Sequence, residues 1–207
     1  MAESLKSPFV ERMVECPACR KSCRQRLFRQ RIFMPDKVES DQHVASYRWL
    51  LDDVDRRHPP YYFLTYCPSC FYTDSAEEFA KPGTNPLNLV TIKSFRKSHA
   101  TNVLIPLLGK HVHQDNVDYE SALNLHYLAI AICLLGEEDS QDFLKLARLY
   151  LRLAWLYREG DILEGGGVSG GQDAASQKEE SASETVPRLL AAVQAMTADV
   201  QGLQDKW

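Results

Sequence analysis

Two short segments of the chain, residues 16–19 and 67–70, have the same form, Cys-Pro-x-Cys. Each segment can place two thiolates at one edge of a tetrahedron, so the pair supplies the four ligands of a closed metal site. Zinc suits an all-sulfur site because it is redox-inert and imposes little geometry of its own. The sequence therefore predicts one structural zinc ion per chain, bound by Cys16, Cys19, Cys67 and Cys70.

Other uses of these cysteines stay open. Iron accepts the same four thiolates, as in rubredoxin-like sites, and paired Cys-x-x-Cys segments also occur as redox-active dithiols. A thioredoxin-type site would need one segment at the start of a helix beside a βαβ pattern, which we do not find in this sequence. Cys23 is close enough in sequence to compete as a ligand, but we expect it, like Cys133, to be a buried core residue.

Composition and charge narrow the class of protein. The 207 residues are 44% hydrophobic and carry a formal net charge of −4. This is enough apolar material for a core, and it gives no global reason to expect a nucleic acid or a membrane as partner. The first ten residues lack the apolar run of a signal peptide. Six cysteines are too few for a disulfide scaffold, so we expect a cytoplasmic protein in a reducing compartment.

A cluster of basic residues follows the first Cys-x-x-Cys segment. Beside Phe28 and Phe33, these side chains could grip a phosphate backbone and stack bases. The alternatives are a solvated face or a docking site for an acidic partner. The acidic net charge argues against nucleic acid. The cluster consists of Arg20, Lys21, Arg24, Arg26, Arg29 and Arg31.

The sequence patterns of the segments that must position the cysteines are less clear than the Cys-Pro-x-Cys pattern itself. Residues 1–14 are polar, and we expect them to form a loose arm. Between Cys19 and Cys67 lie 47 residues (20–66), against roughly 15–20 in a simple zinc ribbon. This long insertion must therefore carry structure of its own.

Three kinds of element are predicted within the insertion. Phe28 and Phe33 indicate short strands or turns with buried rings. Residues 44–54 place apolar side chains at helical spacing, with Asp41 as the N-cap. Residues 61–66 are rich in aromatic side chains and predict a strand that leads into the second cysteine segment.

After residue 81 the pattern is helical. Gly109 is expected to end the second helix, and Asp139 or Ser140 to cap the last one. The third helix is apolar nearly all round, which predicts burial on two sides and an antiparallel hairpin with the fourth. The four predicted helices cover residues 87–98, 100–108, 119–135 and 141–158.

The end of the chain divides into a linker and a tail. Residues 160–184 are rich in Gly, Ser, Ala and Glu and predict a flexible linker. Residues 185–207 have apolar side chains at alternating steps of three and four, which predicts an amphipathic helix with a heptad seam. We expect this helix to fold back on the chain and leave a monomer, with self-association as the alternative.

Several features together place the chain near a known family. They are the two Cys-Pro-x-Cys segments, the aromatic run into the second of them, Tyr72, Phe79 and residues 151–158 (Leu-Arg-Leu-Ala-Trp-Leu-Tyr-Arg). In these features, over residues 15–158, the chain resembles the bacterial family called domain of unknown function 2225. The resemblance implies a metal-binding N-terminal part and a helical, tetratricopeptide-like C-terminal part, with no established activity.

The chain departs from the family pattern in both cysteine turns, and also at Cys23, where the family tends to have an aromatic residue. The family's cysteine turns usually continue with glycine, whereas this chain has Arg20 and Phe71 there. If the turns keep a left-handed residue at these positions, each would carry strain of about 1–2 kcal/mol.

The predicted fold is α+β. It combines a four-cysteine zinc-knuckle module that has a long insertion, an all-α tetratricopeptide-like domain and a tethered C-terminal helix. The predicted parts are residues 1–81 for the zinc module, 82–159 for the helical domain, 160–184 for the linker and 185–207 for the helix.

The predicted function is that of a non-enzymatic adaptor, because we find no nucleophile elbow, phosphate-binding glycine loop or zinc-protease motif in the sequence. An unidentified protein or peptide would bind along the helical hairpin. A nucleic-acid-binding zinc protein is the second hypothesis, and a metal-dependent or redox enzyme is the third. The residues predicted to contact the partner are Tyr150, Arg152, Trp155, Tyr157 and Arg158.

Overall fold

The computed structural model describes residues 6–136 and 138–165. This part of the chain is mixed α+β, with three two-stranded antiparallel sheets followed by five helices. The strands are β1 (Phe9–Glu15), β2 (Ser22–Phe28), β3 (Phe33–Val38), β4 (Val44–Trp49), β5 (Leu64–Tyr66) and β6 (Thr73–Ser75). The helices are α1 (Ala76–Ala80), α2 (Pro86–Ser98), α3 (Leu104–Gly109), α4 (Tyr119–Cys133) and α5 (Phe143–Gly165).

The β1–β2 hairpin corrects the prediction of a loose N-terminal arm. All seven residues of β1 pair with β2, from Phe9 opposite Phe28 to Glu15 opposite Ser22. Phe9 is buried, and its ring lies 4.8 Å from that of Phe28 and 4.6 Å from that of Tyr62. Apolar and polar side chains do not alternate along residues 9–15, but this partner strand and these rings order the segment.

The β3–β4 hairpin corrects the predicted helix over residues 44–54. The chain reverses at Gln42, which has a φ of 67°, and the Glu39 N–H donates to the carbonyl of His43. The rings of Tyr47 and Trp49 both lie 5.4 Å from that of Phe33. Side chains two residues apart share a face only in a strand, so ring packing with β3 decides the conformation.

Other predictions for the insertion are partly right. Phe28 is the last residue of strand β2, and Phe33 is the first residue of strand β3. The predicted strand over residues 61–66 is shorter, because a 3-10 turn over Pro59–Tyr62 precedes β5.

The long helices were predicted well, and their ends less so. Helices α2 and α4 lie where the periodicity placed them. Helix α3 starts only at Leu104, where Asn102 Oδ1 accepts from its N–H, and it includes Gly109. Helix α5 is capped by Asp142, whose Oδ1 accepts from Lys145 N, and not by Asp139 or Ser140.

Helix α4 forms the centre of the helical core. Nine of its residues are buried, including Leu128 on one side and His126 on another. This confirms the predicted burial on more than one face. Residues up to Leu153 belong to one compact unit, whereas Ala154 onward belongs to a second. Among the described helices, none combines the length and apolar character needed to cross a bilayer.

The predicted linker and tail are largely beyond this description. Helix α5 runs through Gly165, six residues (160–165) into the segment predicted as linker. The rest of that segment and the predicted helix over residues 185–207 lie outside the described residues.

Candidate metal centre

Both Cys-Pro-x-Cys segments form the same turn at the tip of a hairpin. The first knuckle, residues 16–21, joins β1 to β2, and the second knuckle, residues 67–72, joins β5 to β6. In each, the N–H of the first cysteine donates to the carbonyl five residues later, at 2.9 Å. The carbonyl of that cysteine accepts from the N–H four residues later, at 2.9 Å in the first knuckle and 2.8 Å in the second.

Both turns also contain a left-handed residue after the second cysteine. Arg20 has a φ of 66° and Phe71 a φ of 67°. These are the positions where the family usually has glycine, and a residue with a Cβ there costs about 1–2 kcal/mol. The expected strain is therefore present, and the turn geometry is kept in spite of it.

The four predicted ligands come together. The sulfur atoms of Cys16, Cys19, Cys67 and Cys70 all lie within 4.8 Å of one another. Across the two knuckles, Cys16 Sγ is 3.6 Å from Cys70 Sγ, and Cys19 Sγ is 3.7 Å from Cys67 Sγ. A tetrahedron with zinc–sulfur bonds of about 2.3 Å has edges of roughly 3.8 Å, whereas a disulfide bond is only about 2.05 Å long. The spacing fits a tetrahedral metal ion, and all four cysteines are free of disulfides.

The thiols of the cluster influence one another's ionisation. Hydrogen bonds from Cys16 and Cys70 lower the pKa of Cys67 well below its ordinary value. The hydrogen bond with Cys67 raises the pKa of Cys16 to about 12. Hydrogen bonds with Cys16 and Cys67 raise the pKa of Cys70 strongly. Ionising all four thiols together would place like charges side by side, and a divalent cation would offset that repulsion.

The two remaining cysteines are not part of the cluster. Cys23 is buried on β2, its sulfur lies 3.6 Å from the carbonyl oxygen of Val14, and burial raises its pKa to about 12. Cys133 is buried in α4, where burial raises its pKa to about 12 as well. Both are buried, as expected of core cysteines.

Gln25 joins the two hairpins that carry the knuckles. Its side chain is fully buried on β2. The amide nitrogen donates to Thr65 Oγ1 on β5 at 2.9 Å and to the carbonyl of Ala76 at 2.8 Å, while Oε1 accepts from Arg12 Nε at 2.6 Å. A buried amide with all these bonds made fixes the distance between the hairpins. Sequence analysis missed Gln25, because a single glutamine in a polar strand carries no signal.

Each knuckle contacts a helix, but through different side chains. On the first knuckle, Arg96 of α2 donates from Nε to the carbonyl of Ala18 at 2.8 Å and from Nη2 to that of Pro17 at 2.6 Å. Beside the second knuckle, Tyr66 Oη donates to the carbonyl of Gly109 at 2.7 Å. The ring of Phe71 lies directly over Gly109, where an added Cβ would be only 2.4 Å from a ring carbon.

A buried polar network extends from the second knuckle to α5. Tyr72 Oη donates to Asp74 Oδ2 at 2.8 Å and lies 3.2 Å from Asn88 Oδ1. Lys145 Nζ lies 2.6 Å from Asp74 Oδ1 and 2.8 Å from Glu78 Oε2. The Asp74 side chain is only 1% exposed and that of Lys145 14% exposed, so this is a buried ion pair.

The ionisation of this network depends on its partners. Burial raises the pKa of Asp74, although Lys145 opposes that shift. Burial alone would lower the pKa of Lys145, but the Asp74 and Glu78 carboxylates raise it above its ordinary value. Each charge is therefore tolerated only because the other is present.

Two residues of the basic cluster, Arg24 and Arg26, form ion pairs within the fold. Arg24 pairs with Asp115 and lies 3.6 Å from Glu11, and Arg26 Nε lies 2.7 Å from Glu11. Arg26 also contacts Asp115 at 3.3 Å and donates to the carbonyl of Gln114 at 2.8 Å. These two arginines of β2 therefore tie the loop before α4 to the first hairpin.

The other four basic residues lie at the surface. Arg20 pairs with Glu15 at 2.8 Å, and Arg29 donates to a backbone carbonyl at 3.1 Å. Lys21 is exposed, and Arg31 is exposed in a turn with a φ of 57°. The six residues are thus not presented together as one set of free cations.

The residues predicted to contact a partner are all half-buried in α5. The guanidinium of Arg152 lies 3.6 Å above the centre of the Phe63 ring, and burial lowers its pKa. This side chain is therefore engaged with the β5 segment. The half-buried set is Tyr150, Arg152, Trp155, Tyr157 and Arg158.

Comparison with known proteins identifies a family. The model of the family described as "Uncharacterized protein conserved in bacteria (DUF2225)" matches residues 9–190, which is most of the chain. No curated protein and no solved structure matches the chain.

Proposed function

The chain belongs to the bacterial DUF2225 family, and from its structure we propose that it is a cytoplasmic adaptor without catalytic activity, stabilised by one structural zinc ion. The observation that carries this proposal is the closed set of four sulfur atoms. A metal ion held by four thiolates has no position left for a substrate, which is typical of structural sites.

Zinc is the metal that we propose for the site, with iron as the alternative. The ligands would be the four clustered cysteines, and the metal would supply a cross-link between the two hairpins. Elemental analysis of the purified chain tests this directly: we expect one zinc per chain, absent from Cys67→Ser and retained in the matched variant Cys133→Ser. Full zinc content in Cys67→Ser would contradict the proposed site.

The proposed partner site is the exposed face at the start of α5. Phe143, Leu144 and Leu151 are 60%, 63% and 43% exposed. Residues 144 and 151 are seven positions apart and so share one face of the helix. The two consecutive long helices, α4 and α5, also support the tetratricopeptide-like description. An apolar helix face of this kind suits an amphipathic helix of a partner protein.

Capture experiments in the native host test the partner site. Full-length chain should retain a protein that cross-links within residues 143–158, and Leu144→Glu should lose it. Met13→Glu is the matched control, because Met13 is 66% exposed but lies on β1. A partner retained by Leu144→Glu, or lost equally in Met13→Glu, would contradict the proposed surface.

Nucleic acid remains the second hypothesis, and the ion pairs of Arg24 and Arg26 weigh against it. The residual surface cations predict only weak binding that falls steeply with salt. Sub-micromolar RNA or DNA binding at physiological salt, abolished by Lys21→Glu with Arg31→Glu, would favour this hypothesis over the adaptor.

A further inference from the structure

Arg96 reaches the metal centre from a distant element. It lies in the last turn of α2 and donates from Nε to the carbonyl of Ala18 at 2.8 Å and from Nη2 to that of Pro17 at 2.6 Å. Pro17 and Ala18 are the two residues between the ligands of the first knuckle, and both are buried. The guanidinium therefore forms two hydrogen bonds to the loop between Cys16 and Cys19.

The same two peptide groups connect the two ligands of the first knuckle. The carbonyl of Pro17 shares a peptide group with the N–H of Ala18, and the carbonyl of Ala18 shares one with the N–H of Cys19. Both peptide groups lie between the ligands Cys16 and Cys19, so their orientation sets the spacing of the two sulfur atoms. Hydrogen bonds from a charged guanidinium are stronger than neutral ones, so they restrict this loop more than a neutral donor would.

We propose that Arg96 is a positioning residue of the metal centre. Its guanidinium orients the peptide groups of Pro17–Ala18 and Ala18–Cys19, and in this way it holds Cys16 and Cys19 at the spacing that a shared metal ion requires. A zinc ion with four thiolates would carry a net charge of −2, so a guanidinium held beside the knuckle also favours the metal-bound state. Partners behind metal ligands typically change metal affinity about 10- to 100-fold when they are removed.

The second knuckle has the same turn without this burial. Pro68 and Ser69 stand between its two ligands, as Pro17 and Ala18 do in the first knuckle. Pro68 and Ser69, however, are exposed. The second knuckle is thus exposed to solvent at its tip, whereas in the first knuckle the carbonyls of Pro17 and Ala18 accept from the guanidinium of Arg96.

The test compares metal binding in full-length variants. Arg96→Met keeps the apolar stem and removes the donors, Arg96→Lys keeps the charge without the two-pronged geometry, and Lys97→Met removes one exposed charge from the neighbouring position as the matched control. Zinc affinity is measured by competition with a chromophoric chelator. Cobalt(II) is then bound in place of zinc to record the sulfur-to-cobalt charge-transfer band.

We expect Arg96→Met to weaken zinc binding about 10- to 100-fold and to shift the charge-transfer band, with Arg96→Lys intermediate and Lys97→Met unchanged. A variant that melts earlier but keeps the affinity and the band of Lys97→Met would overturn the proposal, since Arg96 would then be only structural. This inference rests on the metal part of the proposed function. A wild-type chain that binds no zinc would refute that function itself, whereas unaltered binding by Arg96→Met refutes only the role of Arg96.

Discussion

The first and second knuckles close with the same pair of backbone hydrogen bonds and the same left-handed residue, yet they are embedded differently. Pro17 and Ala18 of the first are buried under a guanidinium, while Pro68 and Ser69 of the second are exposed. The second knuckle is instead held from its flanks, by the packing of Phe71 on Gly109. The comparison shows that the cysteine spacing specifies the turn, whereas the surrounding helices decide how each turn is supported.

Removing the proposed metal ion should disrupt both knuckles together, and this is the largest effect that we expect. Structural zinc contributes about 10–16 kcal/mol in small peptides, which is comparable with the whole stability of a domain, about 5–15 kcal/mol. We expect a strong chelator to abolish hydrogen-exchange protection across residues 9–75. Protection that persists equally in both knuckles after complete metal removal would show that the side-chain supports alone suffice.

Lys145→Met should destabilise the second knuckle, because Lys145 pairs with Asp74 and Asp74 accepts from Tyr72 of that knuckle. It leaves Asp74 as a buried, unpaired carboxylate, which typically costs about 3–5 kcal/mol. Urea unfolding of the zinc-loaded chain measures the loss. The double variant Asp74→Asn/Lys145→Met should recover part of it, and a double variant as unstable as the single one would argue against the ion pair as the cause.

Gly109→Ala should disturb the second knuckle and leave the first intact. The added Cβ would lie 2.4–2.9 Å from Phe71 side-chain atoms, and such overpacking costs about 1–3 kcal/mol. Gly83→Ala is the control, because an added Cβ there meets nothing within 4 Å. Equal melting temperatures for the two variants would mean that Phe71 moves away freely.

Replacing the strained residues by glycine should change stability only slightly, and in opposite directions in the two knuckles. Arg20→Gly relieves left-handed strain and loses only an exposed ion pair, so we expect a gain of up to about 1 kcal/mol. Phe71→Gly relieves the same strain but loses the ring packed on Gly109, so we expect a net loss. Thermal unfolding of both variants checks this. A gain in both would show that the Phe71 contact adds nothing.

Local patterns in the sequence were enough to identify the elements that depend on few residues. Four consecutive residues define each knuckle, so the duplicated spacing singled out the four cysteines that the structure brings together. The helical periodicity located α2 and α4 because an amphipathic or buried helix repeats its pattern over three or more turns. The family resemblance also indicated left-handed residues at Arg20 and Phe71.

Short strands were not predictable in the same way. Residues 44–49 fit a helical spacing, and only the Phe33 ring of β3, on the other side of the hairpin, selects the strand. Residues 9–15 lack the alternation of apolar and polar side chains that is typical of a strand, and pairing with β2 orders them. In both cases a contact with another segment outweighs a weak local preference.

The roles of the charged side chains were decided by the tertiary structure alone. Arg24 and Arg26 belong by sequence to a basic cluster, but the fold places Glu11 and Asp115 against them. Arg96 is by sequence a cation at a helix end, yet α2 delivers it to a carbonyl 78 residues away, on Ala18. The types and spacing of the residues determined which atoms could bind a metal. Which side chains support those atoms depends on long-range packing, because a hydrogen bond is defined by distance in space and not by separation along the chain.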